Sequence, residues 1–327
     1  MTFKNTLIEP LSPIGLWLKA AILSIVILSL KPQPTQPAWA VLMILLAAVV
    51  LVPIGYQQVM QRQADFKAFK NALFWQWFTA VLLTVSFLLE KNMLLTGALA
   101  LPYAAWCATV FFYQIMPIFF KNKSQILRGH QRFFQLPFLT TLAAFGFLTN
   151  AAVWLVFDRF DYQPLGFSAW IVLLTGTHFH FAGFALTVSL ALLLTENAAK
   201  NVSNRAASAA SFAVFVGVVL TAAGITATQL GFGHRLETVA GVWMATAATL
   251  AGGVFIGSSF REKPTVRACW FVGGMCLTVG MSLAVLYALR PIFPIAALDL
   301  PTMQAVHGSL NALGFGTLML VGWSLKE

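Results

Sequence analysis

Residues 167–194 read FSAWIVLLTGTHFHFAGFALTVSLALLL, twenty-eight residues without a carboxylate, lysine or arginine. A helix needs about 20 apolar residues to cross the hydrocarbon core of a bilayer, so this run is a transmembrane span. Near its middle lies Thr177-His178-Phe179-His180-Phe181. Two imidazoles there sit at the depth where polarity costs most. Ionisable groups in such spans usually face a cavity, a partner or a ligand, which makes the run the first functional lead.

The rest of the chain has the same character. With 59% hydrophobic and 9% charged residues and a mean hydropathy of +0.81, it falls outside the range of soluble domains. Residues 1–327 are expected to form a single integral membrane domain of all-α class. A net charge of +10 would suggest nucleic acid in a soluble protein. Here the basic residues fall in alternate loops, as the positive-inside bias requires, so no nucleic-acid partner is expected. Cys107, Cys269 and Cys276 lie in apolar segments without metal or disulfide spacing and read as small core residues. Ala38-Trp39-Ala40 mimics a signal cleavage site, but a second long apolar run follows at once, so no cleavage is expected.

Ten spans meet the length requirement: Gly15 to Leu30, Ala38 to Tyr56, Ala72 to Leu89, Leu94 to Phe119, Pro137 to Phe157, Phe167 to Leu194, Ala206 to Leu230, Thr238 to Ser259, Ala268 to Leu289 and Thr302 to Leu325. The first is short and carries Lys19, which would snorkel to the interface. With the N-terminus inside, fifteen Lys and Arg residues are internal, and only Lys31, Lys91, Arg159, Arg235 and Arg290 are external. The expectation is a polytopic bundle in the cell (cytoplasmic) membrane with both termini cytoplasmic.

A rise of 1.5 Å per residue turns this topology into depths. His178 and His180 fall roughly 16 to 20 Å from the outer boundary, Asn150 about 10 Å, His307 about 8 Å and Asn311 about 14 Å. On the tenth span Gln304, His307, Asn311 and Gly314 are spaced by three, four and three residues, which stacks them on one helical face. Gly183, Gly308, Gly314 and Gly316 would let a helix or flat ligand approach the backbone closely. On a regular helix His178 and His180 point about 200° apart. They cannot chelate one metal unless the backbone is distorted, and Gly176 is where such a distortion is expected. One imidazole would then be a ligand and the other an anchor hydrogen-bonded to a neighbour.

Each feature also has a plainer reading. Histidine and asparagine cross-link packed membrane helices without any ligand. His130 falls in a basic loop and His234 beside Arg235 at the interface, whereas Gln229 and Glu237 are placed to rim an outer pocket. Phe74 to Phe78 and Phe111 to Tyr113 are interfacial belt anchors first. Phosphate-binding glycine loops, nucleophile elbows, paired carboxylates and Cys-x-x-Cys are absent from the sequence, which removes soluble-type hydrolase and nucleotide chemistry.

Thr-His-Phe-His-Phe-Ala-Gly-Phe (Thr177 to Phe184) together with His-Gly-Ser-Leu-Asn-Ala-Leu-Gly-Phe (His307 to Phe315) resembles the YndJ-like family of bacterial multispanning proteins. That resemblance implies a membrane bundle and prescribes no reaction, although such proteins are often labelled transporters. His178-Phe179-His180-Phe181 is also similar to the His-Phe-His-Tyr segment with which heme-copper oxidases hold two hemes from one helix. His307 with Gly314-Phe315-Gly316-Thr317-Leu318-Met319 resembles a histidine-bearing helix of NnrS-type heme membrane proteins. There is no His-Pro-Glu-Val-Tyr copper segment, and five histidines cannot serve two hemes and a three-histidine copper. An oxygen reductase is excluded; a single heme or transition-metal site stays open.

The leading expectation is therefore a histidine-centred site in the outer half of the bilayer, binding a metal, heme or small molecule. His178, His180 and His307 would be the cofactor or metal ligands, oriented by Asn150, Thr177 and Asn311. A carrier using the same imidazoles for solute binding or proton relay is the alternative, and a structural or assembly factor is the third. A His followed by Gly-Phe recurs on the sixth and tenth spans, at positions that are not equivalent in a five-plus-five repeat.

Overall fold

Long apolar runs with few internal breakers leave the backbone one way to satisfy its polar groups away from water, the helix. The computed structural model describes residues 36–62, 72–91, 93–120 and 135–326, and these form helices without a strand. In chain order they are α1 (Gln36–Leu46, continued through Ala47–Leu51 and Val52–Arg62), α2 (Ala72–Leu88), α3 (Met93–Phe120), α4 (Leu136–Arg159), α5 (Ala169–Ala199), α6 (Arg205–Gln229), α7 (Arg235–Ser259), α8 (Pro264–Ala288) and α9 (Leu300–Leu325). All but α2 are long and apolar enough to cross a membrane, and α2 is a shorter apolar helix. They match the second to tenth predicted spans. The first, Gly15 to Leu30, lies outside the described residues, as do Lys67, Lys70, His130 and their neighbours.

Helix starts follow local chemistry. The Ile171 N–H donates to Ser168 Oγ, the Ala207 N–H to Asn204 Oδ1 and the Thr302 N–H to Asp299 Oδ1, so a side-chain oxygen caps an otherwise orphaned donor at the heads of α5, α6 and α9. Pro264 opens α8, where its missing N–H costs nothing.

Three helices contain wide π turns: Ala47–Leu51 in α1, Phe179–Ala185 in α5, and Met303–Gly308 and Leu310–Thr317 in α9. The distortion expected near Gly176 thus begins directly after His178. π turns are rare and concentrate at functional positions. The π turn of α1 is met by a polar side chain, since Gln76 Nε2 donates to the Ala48 carbonyl at 2.6 Å.

The chain divides into two compact units, residues 1–135 with 142–180, and residues 136–141 with 181–327. In the first, aromatic and polar ties connect helices: Tyr56 packs edge-on against Trp106 and Phe145. Trp106 Nε1 donates to Ala72 O, and Thr96 Oγ1 to Arg159 O. In the second, α6, α7 and α8 pack in sequence, and α7 and α8 cross through glycine. A Cβ on Gly252 would lie 2.9 Å from the Gly274 oxygen, and one on Gly274 would lie 2.8 Å from the Gly252 oxygen. Lys326 closes this unit, its Nζ 2.7 Å from Glu196 and 2.6 Å from Glu262, over the rings of Trp270 and Trp323.

Burial is uneven in the manner of a membrane protein. The apolar stretch of α5 is 89% enclosed, whereas those of α6, α8 and α9 are 33% enclosed. Phe212 and Val219 of α6 and Trp243 and Leu250 of α7 stand exposed. Open faces this apolar fit lipid rather than water.

Candidate functional site

Two polar centres emerge, one in each unit. In the first, His180 is fully buried. Its Nδ1 lies 2.7 Å from the Gly176 carbonyl and its Nε2 3.1 Å from the Tyr103 hydroxyl. A carbonyl only accepts, so Nδ1 carries the proton; in the neutral imidazole Nε2 then accepts from Tyr103. The two rings lie nearly parallel, 6.0 Å apart. Both nitrogens are thus engaged by protein groups.

His178 points elsewhere. It is exposed while Thr177, Phe179 and His180 are buried, the opposite facing that helical geometry predicts for residues two apart. Its ring meets Phe179 edge-on at 6.2 Å. Thr177 Oγ1 donates back to Leu173 O at 3.0 Å, which occupies its proton within its own helix. Asn150 is half-buried on α4. Gly176 has a packing reason: a Cβ there would sit 2.6 Å from Leu155 Cδ2.

In the second unit, His307 and Asn311 of α9 meet the α8 backbone. His307 Nδ1 lies 2.8 Å from the Gly280 carbonyl, and Asn311 Nδ2 lies 3.2 Å from each ring nitrogen. Since Nδ1 must donate to the carbonyl, Asn311 donates to Nε2. The fit requires glycine, because a Cβ on Gly280 would lie 2.9 Å from Asn311 Oδ1. That oxygen is shut off from solvent and has no hydrogen-bond partner among the described residues. Gln304 is buried on the same helix, and Gly314 packs against Cys276.

Sequence reasoning missed Tyr103 and Gly280. Tyr103 had a signal, a phenol well inside an apolar span, since a buried tyrosine hydroxyl seeks a partner. The Gly280 carbonyl had none, because every residue carries one. Among the described residues there is no group of three or more His, Cys, Asp or Glu side chains able to hold a metal ion. The three cysteines are free thiols; Cys107 is buried, while Cys269 and Cys276 are only half-buried.

A family model described as YndJ-like protein matches residues 42–315, a stretch that includes Tyr103, Asn150, both histidine segments and Gly280. No curated protein and no solved structure matches.

Proposed function

The chain belongs to the YndJ-like protein family, and from that premise we propose a ten-span protein of the cell membrane, both termini cytoplasmic, that binds a small hydrogen-bonding molecule at His307 and Asn311. The observation that carries this is the Asn311 Oδ1 atom, shut off from solvent and without a hydrogen bond among the described residues. An unsatisfied buried polar atom costs about 1–3 kcal/mol, and a ligand donor would remove that cost. In the first unit, Tyr103 acts as a positioning residue that holds His180, and through it the wide turn beside Thr177 and His178.

A small organic molecule fits better than a metal or heme. Metal ligation needs an unshared imidazole lone pair, and His180 has its two nitrogens committed to Gly176 and Tyr103. The proposed grouping of helix ends is supported, within each unit, by the ion pairs. Lys91 joins Asp161 at 2.5 Å and Arg290 joins Glu237 at 2.7 Å, all at ends assigned outside, whereas Lys326, Glu196 and Glu262 are all assigned inside.

The test is thermal unfolding in mild detergent across a panel of small polar solutes, with metal analysis and an absorption spectrum on the same sample. At least one solute should raise the melting temperature, and the rise should vanish in Asn311→Leu. If no solute acts and Asn311→Leu itself stabilises the protein, the oxygen is mere packing strain and the proposal fails.

The carrier reading gains from one specific observation, the π turns that interrupt α5 and α9 beside their histidines. Interrupted helices are where transporters build midplane sites. Its signature would be pH-dependent flux in liposomes that disappears in His178→Ala.

A further inference from the structure

The α6–α7 turn is built, not loose. Gly231 takes a positive φ of 85°, its N–H donates to Thr228 O, and the Phe232 N–H reaches back to Ala227 O. This is the Schellman ending of a helix, in which the residue at the position of Phe232 normally folds its side chain onto the preceding turn. Phe232 does the opposite and is 80% exposed. Leu230 and Leu236 beside it are exposed as well.

A second apolar tip adjoins the first. Past the end of α8, Ile292, Phe293 and Ile295 are exposed, and the Ile292 and Phe293 N–H groups both donate to Leu289 O. Arg290 ties the two tips together through Glu237 at 2.7 Å, its guanidinium stacked over Tyr287.

Two arguments say what covers these side chains. The turn between Gln229 and Arg235 is only five residues long, so its tip cannot leave the level at which the spans end. Its apolar surface is also continuous with the open flank of α7, where Val239 stands exposed one turn from Leu236. Aromatic and aliphatic tips flanked by Arg235 and Arg290 match the composition that partitions into phospholipid headgroups.

We propose that the 230–236 and 289–295 tips insert into the headgroup layer of the bilayer, with Phe232 and Phe293 as wedges and the exposed Arg235 facing lipid phosphate. This rests on the membrane reading above and adds a specific lipid contact to it.

Phe232→Cys and Phe293→Cys, each spin-labelled in phosphatidylcholine/phosphatidylglycerol liposomes, test it by collision with oxygen, which enters lipid, and with a water-soluble nickel chelate. The label at Val219→Cys, on the exposed mid-span face of α6, serves as control, and the signal of the unsubstituted chain is subtracted for the native cysteines. Oxygen contact with loss of nickel contact at both tips is the expected result. Nickel contact at the tips with oxygen contact at 219 means aqueous tips and overturns the proposal. Exclusion of both reagents means a protein partner or second copy covers the tips, which overturns it equally. Nickel contact at 219 would instead overturn the membrane reading itself. If a labelled chain fails to incorporate, Phe232→Trp and Phe293→Trp with interfacially brominated lipid give the same decision through loss of fluorescence.

Discussion

Removing the Tyr103 hydroxyl would leave His180 Nε2 buried without a donor, because nothing else reaches that atom among the described residues. Tyr103→Phe should therefore cost about 1–3 kcal/mol, read as a lower melting temperature in detergent. The double variant Tyr103→Phe with His180→Leu should lose less than the two single changes added, since their effects share one interaction. Strict additivity would show that the contact carries no energy. At this scale the histidines themselves were legible, because an imidazole in an apolar run stands out by chemistry alone. Even the opposite facing of His178 and His180 followed from helical geometry. Their partners were not legible. His307 is answered by a backbone carbonyl, and which carbonyl comes within 2.8 Å depends on how α8 and α9 cross.

Where helices cross, side-chain volume decides stability. Gly252 and Gly274 place two backbones in contact, so Gly252→Ala or Gly274→Ala should destabilise by about 1–3 kcal/mol through overpacking. Gly253→Ala, where an added Cβ meets nothing within 4 Å, is the control that should not. The head of α9 offers a pH test. The Thr302 N–H bonded to Asp299 holds that carboxyl below its usual range. A carboxyl depressed in the folded state stabilises fully above its unfolded pKa, and the contribution disappears as pH falls through the folded value. The gap in melting temperature between the native chain and Asp299→Ala should hence be full at neutral pH and close in acid. Nine of the ten predicted spans coincide with helices, with ends that differ by up to six residues, since a run of about 20 apolar residues has few other solutions. The π turns were another matter. Hydropathy is indifferent to whether a helix bonds i to i+4 or i+5, and side chains distant in sequence, such as Gln76 at Ala48, take part in the choice.

For the whole molecule, loop charge is the feature that predicts sidedness. A membrane-impermeant thiol reagent added outside intact cells should label Tyr162→Cys and leave Val202→Cys untouched, both positions being exposed. The reverse pattern would invert the protein. The partition into two units was not legible, because its boundaries fall inside continuous helices, in α4 between Thr141 and Leu142 and in α5 between His180 and Phe181.

The clasp of Lys326 on Glu196 and Glu262 also sets a schedule. Glu196 leaves the ribosome about 130 residues before Lys326, roughly ten seconds at ordinary elongation rates. Through that interval Lys200, one helical turn away, is the cation at hand. The helices that carry Glu196 and Glu262 are therefore made before the cation that joins them, and this clasp can form only when α9 has arrived.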